Sequence, residues 1–546
     1  MKTRVLLFVA TVAARPPVIE AQHAAPLQSP GGHALTPRDS AAHALNRLAY
    51  GPRPGEIERV ARAGVLRWID AQLAPDKIDD DIVARREREF DILKYDRGDL
   101  ARLYAEAQRA RQERNRMGDT AADKPDNSPV AVKGRRFAAQ VQQLAVVRAA
   151  LSERQLYEVM VDFWTNHFNV YFAKGADRFL TPDYIEHTIR PHAMGRFADL
   201  LIATAQSPAM LFYLDNWESV APGATPPVVE RARRRAWINV GAQHAAPLPP
   251  ARAPKGINEN YARELLELHT LGVDGGYDQH DVIEVARIFT GWSIRRPQQG
   301  GDFEFHDWAH DTGDKQVLGI EFERGHGMDE GIRLLKLLAN HPATIHHVSR
   351  KLCQRFVSDD PPDGCVDDAV AAWQRTRGDI REVLRAVFHG PDFWSTVNVR
   401  AKVKTPLEFV VSAARATAAD PDTTPRLAQM VARLGEPLYL HVAPDGYPEK
   451  EDAWVNSGAL LDRMNAAVAL AAGRLPGAAA TLDSVAPVTA DPQQLIADID
   501  DAILGGTMSE NTKRVIGGQV SDIKDPVQAR ALAVGLAIGG PEFQRQ

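Results

Sequence analysis

The stretch Asn258–Gly272 (NENYARELLELHTLG) puts a carboxylate and an imidazole inside the apolar arc of a helix. At about 100° per residue, Tyr261, Leu265 and Leu268 form the centre of the apolar stripe. Glu264 projects between Leu268 and Leu271, and His269 between Ala262 and Leu265. Burying an unpaired carboxylate costs several kcal/mol, so Glu264 needs an arginine, a metal ion or a proton of its own. Arg263 and Glu267 project to the other side, where the spacing pairs them in solvent. Asn258 is the expected N-cap and Gly272 the C-terminal stop.

Three further stretches carry chemistry. In Arg154–Val170 (RQLYEVMVDFWTNHFNV), Leu156, Met160, Phe163, Trp164 and Phe168 define an apolar face with His167 near its middle. Asp162 and Asn166 fall on the opposite flank. A histidine in such a face takes either a hydrogen-bond partner or a metal. Asp278–Trp292 (DQHDVIEVARIFTGW) opens with Asp278 and Asp281 in capping-box positions and carries Glu284 and Arg287 as an ion pair. Arg287 is also a candidate partner for Glu264, or an anchor for an anionic substrate. His306–Gly313 (HDWAHDTG) lacks periodicity and gathers nitrogen and oxygen donors. It reads as a ligand loop or as a cluster of Asx turns.

These residues suit a metal-dependent enzyme. His167, Glu264 and His269 would come from two packed helices, and His310 or Asp311 would complete the shell of a divalent Zn, Fe or Mn ion. A hydrolase would activate water there, and a non-haem oxidoreductase would activate oxygen. Glu264 as a metal-free general base is the alternative, its pKa raised by the apolar arc. A non-catalytic reading competes: the same polar residues form a core network that fixes helix register in an envelope adaptor for an exported partner. A polysaccharide-binding reading rests on Trp292, Trp308 and Trp394. The sequence holds no HExxH, no Gly-rich phosphate loop and no GxSxG elbow.

The elements that must position these groups are helical. Apolar residues recur at three- and four-residue spacing, and long alternation is scarce. The expected fold is mostly α, a multi-helix bundle with long loop insertions and few short strands, the latter near Asp302–Ile320. A chain of 546 residues, 44% hydrophobic and 25% charged, has room for more than one core. A net charge of −6 argues against a general nucleic-acid surface.

The N-terminus has the layout of a secretory signal peptide over 1–21: Lys2 and Arg4, then the short apolar run Val5–Ala14. The expected location is therefore periplasmic or secreted. No later apolar run approaches the ~20 residues of a membrane span. Residues 22–36 read as a disordered linker and 37–475 as a helical core domain interrupted near 109–133 and 220–256. An Ala/Pro-rich linker at 476–492 and a C-terminal helical segment at 493–546 complete the chain. Cys353 and Cys365 form one disulfide or remain two thiols; their spacing decides neither.

INENYARELLELHTLGVDGGY followed by DVIEVARIFTGW resembles the central signature of a large bacterial family, domain of unknown function 1800. HALNRLAYGPRPGEIERV, MVDFWTNHFNVY, MLFYLDNWES, HDWAHDTGDKQVLG and LANHPATIHHVSRKLCQRFV fit the same family, as do FWSTVNVRAKVKTPLEFVVSAARA and DGYPEKEDAWVNSGALLDRMN. The likeness covers about 40–470; Tyr447 stands where the family pattern suggests Trp, and a Pro-rich insertion precedes Asn258. The resemblance implies an exported helical protein, often encoded beside an exported, sulfatase-like family, domain of unknown function 1501, which would be its partner. It assigns no reaction. By the resemblance His167, Asn216, Glu264, His269, His310 and Asp311 lie in family-type motifs.

Overall fold

Leu156, Met160, Phe163 and Trp164 are each at 2% exposure or less, and the helix that carries them, Gln155–His167, runs through the main core. The computed structural model describes residues 35–116, 127–225, 227, 256–296, 300–475 and 477–546. Residues 1–21, expected to be a signal peptide, most of the expected 22–36 linker and most of the 220–256 insertion lie outside the described residues.

The fold is mostly α. One hydrophobic core runs from Ala44 to Phe543, with two smaller satellites around Phe90–Phe137 and Ala41–Val60. Among the described residues the strands form three antiparallel pairs. Trp292–Ile294 pairs with Phe303–Phe305, Lys315–Val317 with Ile320–Phe322, and Asp420–Pro421 with Ala478–Ala479. No described helix is long and apolar enough to cross a membrane.

Local chemistry explains several boundaries. Asp278 and Asp281 close a reciprocal capping box at the start of Gln279–Ile288. Asn258 caps Glu259–Glu264 by accepting from the Asn260 amide, and Gly272, at φ 85°, ends the helix that follows. That helix widens into a π-helical segment at Leu265–Thr270, where Thr270 Oγ1 donates to the Leu265 carbonyl at 2.6 Å. Further π segments occur at Tyr184–Ile189 and Asp500–Leu504.

Several stretches differ from their sequence reading. The sequence from Asp39 to about Leu73 reads as two short helices broken at Gly51–Gly55, whereas the structure holds three, Pro37–Arg47, Glu56–Ala63 and Val65–Gln72, because Gly64 at φ 94° interrupts the second. Much of the charged 109–133 stretch is helical, within Arg97–Arg116 and from Pro129 onward. Within 476–492, Ala478 and Ala479 pair with the 420–421 strand, and Leu482, Val485 and Ala486 are buried. In the C-terminal segment, Pro526–Gly539 lies along Ser457–Ala471. A Cβ on Gly535 would come within 2.7 Å of Val468 Cα, so this approach needs glycine. Cys353 and Cys365 are joined in a disulfide that ties Pro342–Phe356 to Asp363–Thr376.

Candidate functional site

His167 and His269 meet in the core. Both rings are at 2% exposure, with centroids 6.3 Å apart. His167 Nε2 lies 3.2 Å from the His269 carbonyl. A carbonyl only accepts, so Nε2 carries the proton and Nδ1 is a bare lone pair. Neither His167 Nδ1 nor His269 Nε2 has a hydrogen-bond partner among the described residues. Burial, then the Lys351 ammonium, pushes the His167 imidazole well below its ordinary pKa. The same causes push His269 down to about 3. Both rings are therefore neutral at physiological pH. His347, on the same helix as Lys351, is pushed down to about 4 by burial and by Lys351.

Glu264 ends the α-helical turn just before the π segment. It is partly buried and makes no hydrogen bond or ion pair among the described residues. Burial raises its pKa, the like charges of Glu267 and Asp445 add to this, and Arg263 opposes it. Lys351 is the fourth member. Burial lowers its pKa against the pull of Glu449 and Asp445, and it too has no hydrogen bond or ion pair among the described residues. Asp445 thus acts on both groups, from a segment that Asn166 holds against the Gln155–His167 helix. Asn166 Nδ2 donates to the Tyr447 carbonyl at 2.8 Å, and the Tyr447 amide donates to Asn166 Oδ1 at 2.7 Å. Tyr213 OH pins the same segment at the Val442 carbonyl, 2.7 Å away.

Lys351 was open to sequence reasoning. His347, Lys351 and Arg355 stand four residues apart, on one face of one helix. The helical projection puts Asp162 on the flank opposite the apolar face without saying what covers that flank. Asp162 is enclosed by protein rather than facing bulk solvent, and burial pushes its pKa up to about 7 against the pull of Arg355.

His310, Asp311 and Arg287 belong to a different assembly. Arg287 donates to Asp311 through Nε at 2.9 Å and through a terminal nitrogen at 3.1 Å, and its other terminal nitrogen reaches both Glu284 oxygens at 2.8 Å. Every guanidinium nitrogen is engaged, so Arg287 is not free to meet Glu264 or a substrate. Burial alone would raise the Asp311 pKa; the Arg287 bonds outweigh it and hold the group below its usual range. Lys315, at 0% exposure, donates to Glu330 at 2.8 Å and to the Gly313 carbonyl at 2.9 Å. His310 Nδ1 donates to the Thr290 carbonyl at 3.0 Å, and its Nε2 lies 3.5 Å from Glu330. The structure does not bring this assembly together with the two-histidine pair into one shell: among the described residues no close group of ligand atoms spans the two, and the charged groups of this assembly hold partners of their own, although His310 Nε2 and Glu330 Oε1 have none.

Other expectations change with the π segment. Arg263 pairs with Glu259 at 3.5 Å and donates to Gln279 at 2.9 Å, while Glu267 accepts from Tyr277 OH at 3.3 Å. A π turn takes more residues than an α turn, so positions 263 and 267 no longer face each other. Leu266 is fully buried and Leu268 only partly, for the same reason. Asn216 is fully buried, and its Nδ2 donates to the Phe289 and Trp292 carbonyls at 3.1 Å. Trp292 is core at 0% exposure, which removes it from any sugar-stacking surface.

The donor set suits a metal only in part. Two buried neutral imidazoles with partnerless nitrogens are good ligands. Yet the ligand atoms of His167, His269 and Glu264 do not all lie within 4.8 Å of one another; among the described residues, Asp278, His280 and Asp281 alone satisfy that test. Those aspartates already serve the capping box. Lys351 also places a positive charge beside both imidazoles, which opposes a dication. A buried serine–lysine pair, Lys404 Nζ to Ser412 Oγ at 2.9 Å, lies too deep for a substrate, at 2% and 1% exposure.

A family model described as "Protein of unknown function (DUF1800)" matches residues 43–545. No curated protein and no solved structure matches the chain. The match runs through the C-terminal helices, past the limit near 470 suggested by the sequence motifs.

Proposed function

The chain belongs to the DUF1800 family, and for this member we propose an exported acid–base enzyme of the hydrolase class, working at His167, Glu264, His269 and Lys351. One observation carries the reading. His167 and His269 meet with Lys351 beside them, each imidazole leaves a nitrogen without a partner, and Glu264, five residues before His269, makes no hydrogen bond or ion pair among the described residues. Folded cores satisfy most buried polar atoms, so two bare imidazole nitrogens side by side point to a site that meets something else.

The roles follow from protonation. Glu264, its pKa raised by burial, takes a proton from the attacking water. Lys351 holds the substrate oxygen on which negative charge develops. Glu264 then gives that proton to the leaving-group oxygen as the scissile bond breaks, and the neutral His167 accepts a hydrogen bond from substrate or water at its bare Nδ1. The same bare nitrogens favour a second reading, a Zn, Fe or Mn ion on His167 and His269 with Glu264 drawn in as third ligand. Such an ion would supply activated water.

Export rests on Lys2, Arg4 and the apolar run Val5–Ala14 and on the Cys353–Cys365 disulfide, a feature of oxidising compartments. An exported protein of the domain of unknown function 1501 family is the proposed partner, to be sought by co-purification.

The test combines activity, metal content and stability. Purified protein is assayed on chromogenic esters, phosphoesters and glycosides, alongside Glu264→Gln and Lys351→Met. Expected are a hydrolysis lost in both variants with unchanged melting, and no stoichiometric metal. A stoichiometric ion that disappears in His269→Ala selects the metal reading. Metal-free protein whose two variants both melt several degrees lower makes the cluster structural and overturns the enzyme.

A further inference from the structure

Away from the histidine pair, the Gln155–His167 helix borders a cavity of about 170 Å³. A smaller space of about 40 Å³ shares Asp162, Thr165 and Tyr439 with it. Much of the larger wall is apolar, with Ile92, Leu144, Val161, Ile185 and Leu407. Asp162 is enclosed by protein, and the surface it retains borders these two spaces.

Asp162 makes no hydrogen bond or ion pair among the described residues. The hydroxyl nearest in sequence, Thr165 Oγ1, donates to the Val161 carbonyl at 2.6 Å. Arg355, the cation that acts on Asp162, is committed to Glu408 and lies 3.8 Å from Glu449. Arg190 is held by Glu158 at 2.7 Å, and Arg148 by Glu186 and Glu87. Tyr50 and Tyr439 stand beside Asp162, close enough for its charge to raise both phenols beyond the effect of burial. Neither phenol makes a hydrogen bond among the described residues.

We infer that this cavity binds a small organic cation with an apolar body, an alkyl- or arylalkylammonium, whose charged nitrogen pairs with Asp162. The carboxylate is the polar group left over in an enclosed space, and an ammonium supplies the three donors it lacks. On the walls Glu158 is matched by Arg190, Glu186 by Arg148, and Asp183 by Arg97 and His187, which leaves Asp162 as the carboxylate without an ion pair. That unmatched charge draws cations and rejects anions. The two tyrosine rings offer cation–π faces, and the aliphatic wall takes the carbon chain. The volume admits a ligand of modest size and, in its absence, several waters.

The experiment is calorimetric titration of the full chain at pH 7.5 with hexylamine, phenethylamine and 1-hexanol. The variants are Asp162→Asn, which keeps the shape and removes the charge, and Ala145→Leu, which fills the cavity that Ala145 lines. Expected is saturable binding of both amines to the wild type, at least tenfold weaker in Asp162→Asn and abolished in Ala145→Leu. Hexanol binds more weakly and does not discriminate wild type from Asp162→Asn. Should Asp162→Asn fail to fold, Ala145→Leu decides: loss of amine binding upholds the site, and unchanged binding overturns it. Equal amine affinity in wild type and Asp162→Asn, or no saturable binding of either amine, also overturns it.

Discussion

The assembly around Lys315 and Glu330 and the cluster around His167 and Lys351 are made from the same residue types. Both hold histidine, lysine and a carboxylate in partly or fully buried positions. They differ in pairing. In the first, the charged groups are paired, Arg287 with Asp311 and Glu284 and Lys315 with Glu330 and two carbonyls, although His310 Nε2 and Glu330 Oε1 have no hydrogen-bond partner. In the second, Lys351 and Glu264 hold no partner, and two imidazole nitrogens are bare. Paired buried charge fixes structure, whereas partnerless buried charge costs stability and persists where something else requires it.

Removing one partner from the paired assembly gives the largest effect. Lys315→Met leaves the Glu330 carboxylate buried and uncompensated, and chemical denaturation should record a loss of about 3–5 kcal/mol. A loss below about 1 kcal/mol would break the comparison at its firm end.

Asp162 comes next, through pH. In the fold it keeps its proton up to about 7, against 3.8 for an ordinary aspartate. Between those values the unfolded chain binds fewer protons than the native state, so stability falls as pH rises. The difference reaches about 4 kcal/mol as an upper bound. Urea midpoints measured from pH 4 to 8 should show that fall in the wild type and much less of it in Asp162→Asn.

His269 has the opposite sign. It stays neutral in the fold down to about 3, while the unfolded histidine takes a proton below 6.5. Stability is therefore lost as pH falls below 6.5, by about 2 kcal/mol at pH 5. His269→Asn should flatten that limb of the same pH series; an unchanged limb would assign the acid sensitivity elsewhere.

The smallest change is expected at the partnerless carboxylate. Glu264→Met should leave melting unchanged or raise stability by about 1 kcal/mol. A drop of several degrees in a thermal melt would move Glu264 into the class of Glu330 and erase the contrast.

Much of the fold was legible because it rests on local rules. The capping box at Asp278, the cap at Asn258 and the stop at Gly272 need only neighbours within four residues. The site was legible in part. The projection that turned His167 and His269 inward holds, since both are buried. The Arg263–Glu267 pair failed because an even 100° step cannot represent a π turn. Asp162 was hidden for another reason. Its flank of the helix is polar by projection, yet Ile92, Ile185, Leu407 and Tyr439, far apart in sequence, roof it over. Such a cavity is a property of tertiary packing alone. The disulfide was equally undecided by spacing, since two cysteines 12 apart become a bond only when two helices bring them together.

The clamp between Asn166 and Tyr447 has a consequence for how this family can diverge. Asn166 reads the amide and carbonyl of residue 447 and ignores its side chain, so a tyrosine in place of the expected tryptophan is invisible to it. The neighbouring Gly446, at φ 75°, has no such latitude, because any Cβ there would run into Asn166 itself. The joint is thus degenerate at one position and singular at the next. A designer who transplants the 436–449 segment onto another member must copy the glycine, whereas replacing Tyr447 leaves the clamp in place and gives up the bond from its hydroxyl to the Pro437 carbonyl.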